Sequence, residues 1–258
     1  MHSARARADA LRPRRAELER RAGEVPHPPS MAAALAGDHV SIVAEIKRAS
    51  PSKGSIRPAL DAGEQARGYA AGGAAAISVL TEPSRFLGSL ADLETASGAV
   101  AIPLLRKDFI VAEEQILEAR IAGASAVLLI ARGLPRALLL ELAAFCRATG
   151  LEPLVEVRTS LELAIALSAG ALLVGVNARD LESLEVDRSV VARLAQLVPR
   201  DCVCIAESGL RTRADVESVA LHGVDAVLIG SALSAAIDPA AAVRALTGVP
   251  RSQRAASD

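Results

Sequence analysis

The stretch ASAVLLIARGLPRALLLELAAFCRATGLEPLVEV, residues 124–157, decides the fold. It opens on a short apolar run at 126–130, passes through a segment of helical periodicity at 135–149, stops on Thr149-Gly150 and ends in a second apolar run at 153–157. Glycine just past a helix is a common C-terminal stop, because it enters the left-handed region without steric penalty. Strand, helix and strand in this order and at these lengths make one crossover unit of a parallel sheet.

The unit repeats in both directions along the chain. Apolar runs recur at 41–46, 75–80, 102–105, 126–130, 153–157, 172–176, 203–206 and 226–229, with helical segments at 60–71, 89–97, 112–122, 135–149, 160–168, 188–197, 213–222 and 239–246. Strands that are apolar on both faces and separated by helices belong to parallel sheets. Eight such units in 258 residues match a closed (β/α)8 TIM barrel better than an open doubly wound sheet. An open sheet would also want a glycine fingerprint after its first strand, and SPSKGS at 50–55 is neither G-x-G-x-x-G nor G-x-x-x-x-G-K-[ST]. The reading is a barrel domain at 41–248, an N-terminal helical extension at 1–40 and a flexible tail at 249–258.

Composition excludes several function classes. Lys and Arg number 29 against 30 Asp and Glu, a net charge of -1, so neither a nucleic-acid footprint nor an electrostatic membrane anchor is indicated. No apolar run approaches the roughly 18 residues of a membrane span. Aromatic residues make up 2% and Trp is absent, so the core is built from Ala, Leu, Val and Ile. Cys146, Cys202 and Cys204 do not make a disulfide framework, and a reducing, cytoplasmic compartment fits them better. Cys202 and Cys204 are read as packing residues, since no second Cys or His pair stands at zinc spacing. The Arg-rich start, 4–23, reads as a solvated helix with Pro13 in a first turn, Gly23 just past the last, and a Glu17–Arg21 pair.

In such a barrel, polar residues at the C-terminal ends of the strands face the catalytic mouth. Here those ends carry Glu45 and Lys47, Lys107 and Asp108, Glu156, Asn177 and Arg179, and Glu207 and Ser208. Desolvating that many ions is unfavourable for a core, whereas proton-transfer chemistry needs both signs of charge and shifted pKa values. The loops after strands seven and eight are the usual phosphate cradle of these barrels, which assigns Gly209, Gly230 and Ser231 to phosphate.

Seven blocks in order, AEIKRASPSKGSI, ISVLTEPSRFLGSL, PLLRKDFI, EPLVEVRT, GVNARDLESLEVD, AESGLRTRADV and GVDAVLIGSAL, resemble the indole-3-glycerol-phosphate synthase family. The resemblance implies a carboxy-lyase of tryptophan biosynthesis: 1-(2-carboxyphenylamino)-1-deoxyribulose 5-phosphate loses carbon dioxide and water and closes to indole-3-glycerol phosphate. It implies no cofactor and no metal, and a small phosphorylated substrate; the expected state is a monomer. Lys107 matches the family's general acid at the ketone and Glu156 its second proton-transfer group. Lys47 matches a lysine near the substrate carboxylate and phosphate, with Glu45 beside it to tune it. Asn177 and Arg179 match contacts to the reacting aromatic end, Glu207 and Ser208 contacts to the ribulose hydroxyls, and Ser50 a contact from the first loop. Phe86, Phe109, Leu128 and Ile130 match the slot for the anthranilate ring. Three departures stand out: a shorter N-terminal extension, Ala178 where many members carry Asn, and Arg158 close to where His often sits.

Two rivals are weighed. Phosphoribosylanthranilate isomerase resembles a barrel with a Cys on strand one and an Asp on strand five, where this chain has Glu45 with Lys47, and Glu156. A non-catalytic phosphate-binding paralogue predicts loss of charged mouth residues, and none is lost.

Overall fold

The computed structural model describes residues 2–254. Among them, eight strands close into a parallel barrel: β1 (Ser41–Ile46), β2 (Ala76–Leu80), β3 (Leu104–Lys107), β4 (Ala126–Ile130), β5 (Glu152–Val157), β6 (Leu173–Asn177), β7 (Val203–Glu207) and β8 (Ala226–Ile229). Each strand pairs with the next, and β1 closes the ring on β8. The connecting helices start where the sequence supplies acceptors for their free N–H groups: Asp61, Ser89, Thr159, Thr212 and Asp238 each accept from a backbone N–H in the first turn.

The strands run further into polar sequence than the apolar runs indicate. β3 ends at Lys107 rather than at residue 105, β6 at Asn177 and β7 at Glu207. The reason is that the upper end of the barrel interior is ionic. Arg106, on the outer face of β3, is buried too, where it donates to the Gln115 carbonyl at 2.7 Å and lies 3.2 Å from Glu118. Two short elements carry no periodicity to read: a hairpin pairing Ala49–Ser50 with Gly54–Ser55, and a helical turn at Pro83–Phe86 capped by Glu82.

The N-terminal segment folds as α1 (His2–Leu11), a 3-10 turn at Arg12–Arg14, α2 (Arg15–Glu24) and α3 (Met31–Leu35). The expectation of a merely solvated helix is corrected: Ala4, Ala8, Leu18 and Ala22 are buried, and α2 seats Leu18 and Ala22 against Leu117 of the helix Glu113–Ile121. Gly23 lies inside α2 rather than beyond it. The helix α3 plugs the lower end of the barrel, where Met31 and Leu35 join the interior cluster and Glu152 accepts from the Ala32 N–H at 2.8 Å. The expected loose tail is corrected for its first part. The Val40 N–H donates to the Val249 carbonyl, and buried Arg254 donates to Asp225 and to the carbonyls of Gly223, Pro199 and Cys202. Residues 255–258 lie outside the described residues. Cys146, Cys202 and Cys204 are free and buried.

Inward-pointing side chains stack in layers contributed by alternate strands, as closed barrels of this shear require. Val43, Leu105, Leu154 and Ile205 form an apolar floor from the odd strands. Above it the even strands contribute Ser78, Leu128, Gly175 and Leu228, and the next odd-strand positions are Glu45, Lys107, Glu156 and Glu207. The uppermost layer from the odd strands is therefore made wholly of ionisable groups. Among the described residues, no helix is long and apolar enough to cross a membrane.

Candidate active site

The ionic layer is a chain of alternating charge. Lys47 Nζ lies 2.5 Å from Glu45 Oε1; Lys107 Nζ lies 3.5 Å from Glu45 Oε2 and 2.6 Å from Glu207 Oε2. Side chains two residues apart leave a strand on one face, which is why Glu45 and Lys47 meet at the end of β1. The backbone is fixed from outside the barrel: Tyr69 Oη and Ser234 Oγ both donate to the Glu45 carbonyl, at 3.0 and 2.8 Å, and the Lys47 N–H donates to Ser234. Two glycines make room inside it. A Cβ on Gly230 would fall 2.0 Å from Glu45 Oε1 and 2.7 Å from Lys47 Nζ, and one on Gly175 would fall 2.2 Å from Glu207 Oε1.

Burial acts on Glu45, Lys107 and Glu156, and neighbours decide the outcome. Burial raises the Glu45 carboxyl, but Lys47 and Lys107 outweigh it and hold Glu45 below the usual carboxylate range. Burial lowers Lys107, yet Glu207, Glu45 and Glu156 together raise it above an ordinary lysine. Glu156 has the opposite balance: burial and then the Glu207 charge push it up to about 7, against the pull of Lys107 and a hydrogen bond from Asn177. At neutral pH the layer thus contains a firmly charged lysine beside a carboxyl able to give or take a proton, which is the pairing general acid–base catalysis needs.

Over the layer opens a cavity of about 450 Å³. Lys47, Lys107, Glu45, Glu156 and Asn177 line it, together with Ser50 from the first loop and Arg179 and Ser208 from the sixth and seventh. Phe86, Phe109, Leu128 and Ile130 give it an apolar wall, and Gly209, Gly230 and Ser231 line the opposite loops. Of the sequence-derived residues, Glu207 alone does not face the cavity; it lies beneath, buried against Lys107. Asn177 is held by Ser208 Oγ at 2.8 Å and the Arg179 N–H at 2.9 Å, both given to its Oδ1. Ser208 and Gly209 both take positive φ, 70° and 78°, so the seventh loop turns sharply over the site. At the departures from the family pattern, Arg158 donates to the Ala178 carbonyl at 2.6 Å and lies 3.4 Å from Asp180. Both residues therefore brace the sixth loop from outside the ionic layer.

The sequence reading missed Lys53, Arg85, Arg132 and Arg211, which also line the cavity. With Lys47, Lys107 and Arg179 they set seven basic side chains in the lining beside the acidic Glu45, Glu82, Asp108, Glu156 and Glu182. Burial, then Arg211, Lys47 and Arg179, lower Lys53 from the ordinary lysine value. The only signal was their position, Lys53 inside SPSKGS, Arg85 inside TEPSRF, Arg132 just past the fourth apolar run and Arg211 inside ESGLRTRAD, since charged loop residues are by default solvated. Asp108, adjacent to Lys107, does not serve the cavity chemically. It accepts from both Arg7 Nη atoms at 2.7 and 2.8 Å, from Thr81 Oγ1 and from its neighbour's Phe109 N–H, so α1 is tied to the segment carrying the lysine and the aromatic wall. Among the described residues, no group of three or more His, Cys, Asp or Glu is placed to hold a metal ion.

Comparison with known proteins follows the same line. The family model described as "Indole-3-glycerol phosphate synthase" matches residues 2–246. A protein of that name from Dehalococcoides mccartyi is 46% identical over 235 residues, 90% of this chain and 91% of the relative. One from Leifsonia xyli subsp. xyli is 46% identical over 247 residues, covering 96% and 94%. Among solved structures, 3-hexulose-6-phosphate synthase from Salmonella typhimurium superposes with a TM-score of 0.64 at 16% identity, over 80% of this chain and 96% of the other, a likeness of fold alone.

Proposed function

The chain belongs to the indole-3-glycerol phosphate synthase family, and from that premise we propose how its residues perform the ring closure with decarboxylation and dehydration. The carrying observation is the charged Lys107 fixed between Glu45 and Glu207 on the cavity floor, beside a Glu156 that burial and Glu207 push up to about 7.

The substrate's aromatic ring lies against Phe86, Phe109 and Leu128, and its phosphate against Gly209, Gly230 and Ser231, with Lys47 beside that cradle. As the ring carbon attacks the ribulose ketone, the ketone oxygen takes a proton from Lys107, whose two carboxylate partners keep it charged until then. Loss of carbon dioxide from the attacking ring carbon returns the bonding pair to the benzene ring and restores its aromaticity. The hydroxyl formed from the ketone then leaves as water with a proton from Glu156, and a proton from the methylene carbon beside the nitrogen passes to a carboxylate, which completes the aromatic five-membered ring. Asn177 and Arg179 hold the reacting end. Glu207 orients Lys107, and Ser208 and Ser50 position the sugar and the first loop. We propose a monomer as the working unit.

Mixing the purified protein with 1-(2-carboxyphenylamino)-1-deoxyribulose 5-phosphate tests this: indole fluorescence rises as product forms. A flat trace at micromolar protein overturns the reading, and a constant mass of one chain in light scattering checks the monomer.

A further inference from the structure

We infer that Gly175 is a positioning residue for the reaction: the side chain it lacks opens the slot in which the Glu207 carboxylate comes up against Glu156, and the two carboxylates hold a single proton between them. This rests on the proposed roles of Lys107 and Glu156, and it adds Gly175, which the chemistry itself does not single out.

Three observations converge. Gly175 stands directly beside Glu156 in the β5–β6 ladder and beside Ile205 of β7, two residues before Glu207. Adjacent strands lie about 4.8 Å apart, so a group occupying the space over Gly175 is within reach of the Glu156 side chain. That space is taken by Glu207, since a Cβ on Gly175 would fall 2.2 Å from its Oε1 and 2.9 Å from Leu154 Cδ2. Finally, the two oxygens of Glu207 are treated unequally. Oε2 accepts from Lys107 at 2.6 Å, whereas Oε1 is buried without a hydrogen-bond partner.

An orphaned carboxylate oxygen in a closed core is costly, and another ionised carboxylate cannot relieve it because it carries no hydrogen to give. One proton on the pair supplies the missing donor and removes the like-charge repulsion together. The charge of the layer agrees, since Glu45, Glu156 and Glu207 face only Lys107 within it and Lys47 at its edge. The groups bearing on Glu156 are Lys107 from β3, Asn177 from β6, Glu207 from β7 and Glu162 from the helix Ser160–Ser168. Glu207 and Glu162 raise it through their charge, and of these Glu207 acts more strongly.

An infrared difference titration of the whole protein tests this without turnover. A buried carboxyl C=O band is expected to titrate near neutrality and to vanish in Glu156→Gln. In the isosteric Glu207→Gln the same titration is expected to move down by roughly one pH unit or more. Gly175→Ala keeps both carboxylates and displaces one, so it should move the titration the same way, and the alkaline limb of kcat with it. A band that titrates at the wild-type pH in Glu207→Gln overturns the inference, and this variant decides alone if Gly175→Ala fails to fold. Absence of indole formation by the wild type would instead sink the functional reading, leaving the infrared result to be judged separately.

Discussion

Lys107 Nζ stands 2.6 Å from Glu207 Oε2, on the floor of the cavity and with its ammonium locked between strands β1 and β7. The lysine is thereby both the proposed acid and the counter-ion of two buried carboxylates. Replacing it by the apolar Met separates those duties. Lys107→Met is expected to lower kcat by about 10² to 10⁴. It should also cost about 3–5 kcal/mol of stability at neutral pH, because it leaves buried carboxylates unpaired. Glu45, now held low by Lys47 and Lys107, rises when one is lost, so the variant binds an extra proton when folded and its deficit shrinks as pH falls. Urea titrations at pH 5 and 8 beside stopped-flow kinetics check this; equal deficits at the two pH values would refute it.

Glu156→Gln should trade activity for stability. The folded protein raises Glu156 to about 7, above its unfolded value, so its contribution is fully present below that unfolded value and lost as pH rises through about 7. At pH 8 the wild type keeps a buried anion there, and the Gln variant is expected to be more stable by roughly 2–3 kcal/mol, with no gain at pH 4. Turnover falls by about 10² to 10⁴. Thermal melts across pH 4–8 measure the first effect, and indole fluorescence the second.

The cradle is testable through Gly230. A Cβ there collides with Glu45 Oε1 and Lys47 Nζ, so Gly230→Ala should drive the acid–base pair out of place and lower kcat/KM by about 10²-fold or more. Inorganic phosphate soaked into crystals of the wild type should occupy the space beside Gly209, Gly230 and Ser231. Clear density only at other positions would remove those residues from the phosphate assignment.

Arg7 reaches across from α1 to Asp108, and its removal should loosen a long-range tie. Arg7→Ala is expected to destabilise by about 1–3 kcal/mol and to raise KM more than it lowers kcat, since Phe109 loses support while Lys107 keeps its partners. Asp108 is buried, but Arg7 and Arg106 bring it below the ordinary aspartate range. That contribution is present above the unfolded value of about 3.9 and lost as pH falls through the folded one, so the variant's deficit should narrow in acid. Hydrogen exchange in 2–11, faster in the variant than in the wild type, would show the helix lifting; unchanged exchange there would deny the tie.

The repeating run and helix made the eight-stranded barrel legible, because parallel strands buried on both faces must be apolar and their helices must begin at acceptors and end near glycine. The ionic rim of the cavity was legible from charged residues placed where apolar ones were due. What escaped reading lies in tertiary reach. Arg106 and Lys107 look like the end of a strand in sequence, yet they continue it because partners wait inside and outside the barrel. Arg7 and Arg254 look solvated, and only folding brings Asp108 and Asp225 to them. Gly175 sits mid-strand in LVGV, where nothing local reveals that a carboxylate from the next strand needs its space.

The stacking of four ionisable side chains from β1, β3, β5 and β7 over mostly apolar tiers gives the molecule a division of labour that an engineer can use. Swapping those four positions, with the loops that shade them, would rewrite the reaction while leaving the scaffold's folding free energy mostly in the greasy tiers below. A designer seeking a new decarboxylase would thus start from one storey of this tower, not from its foundations.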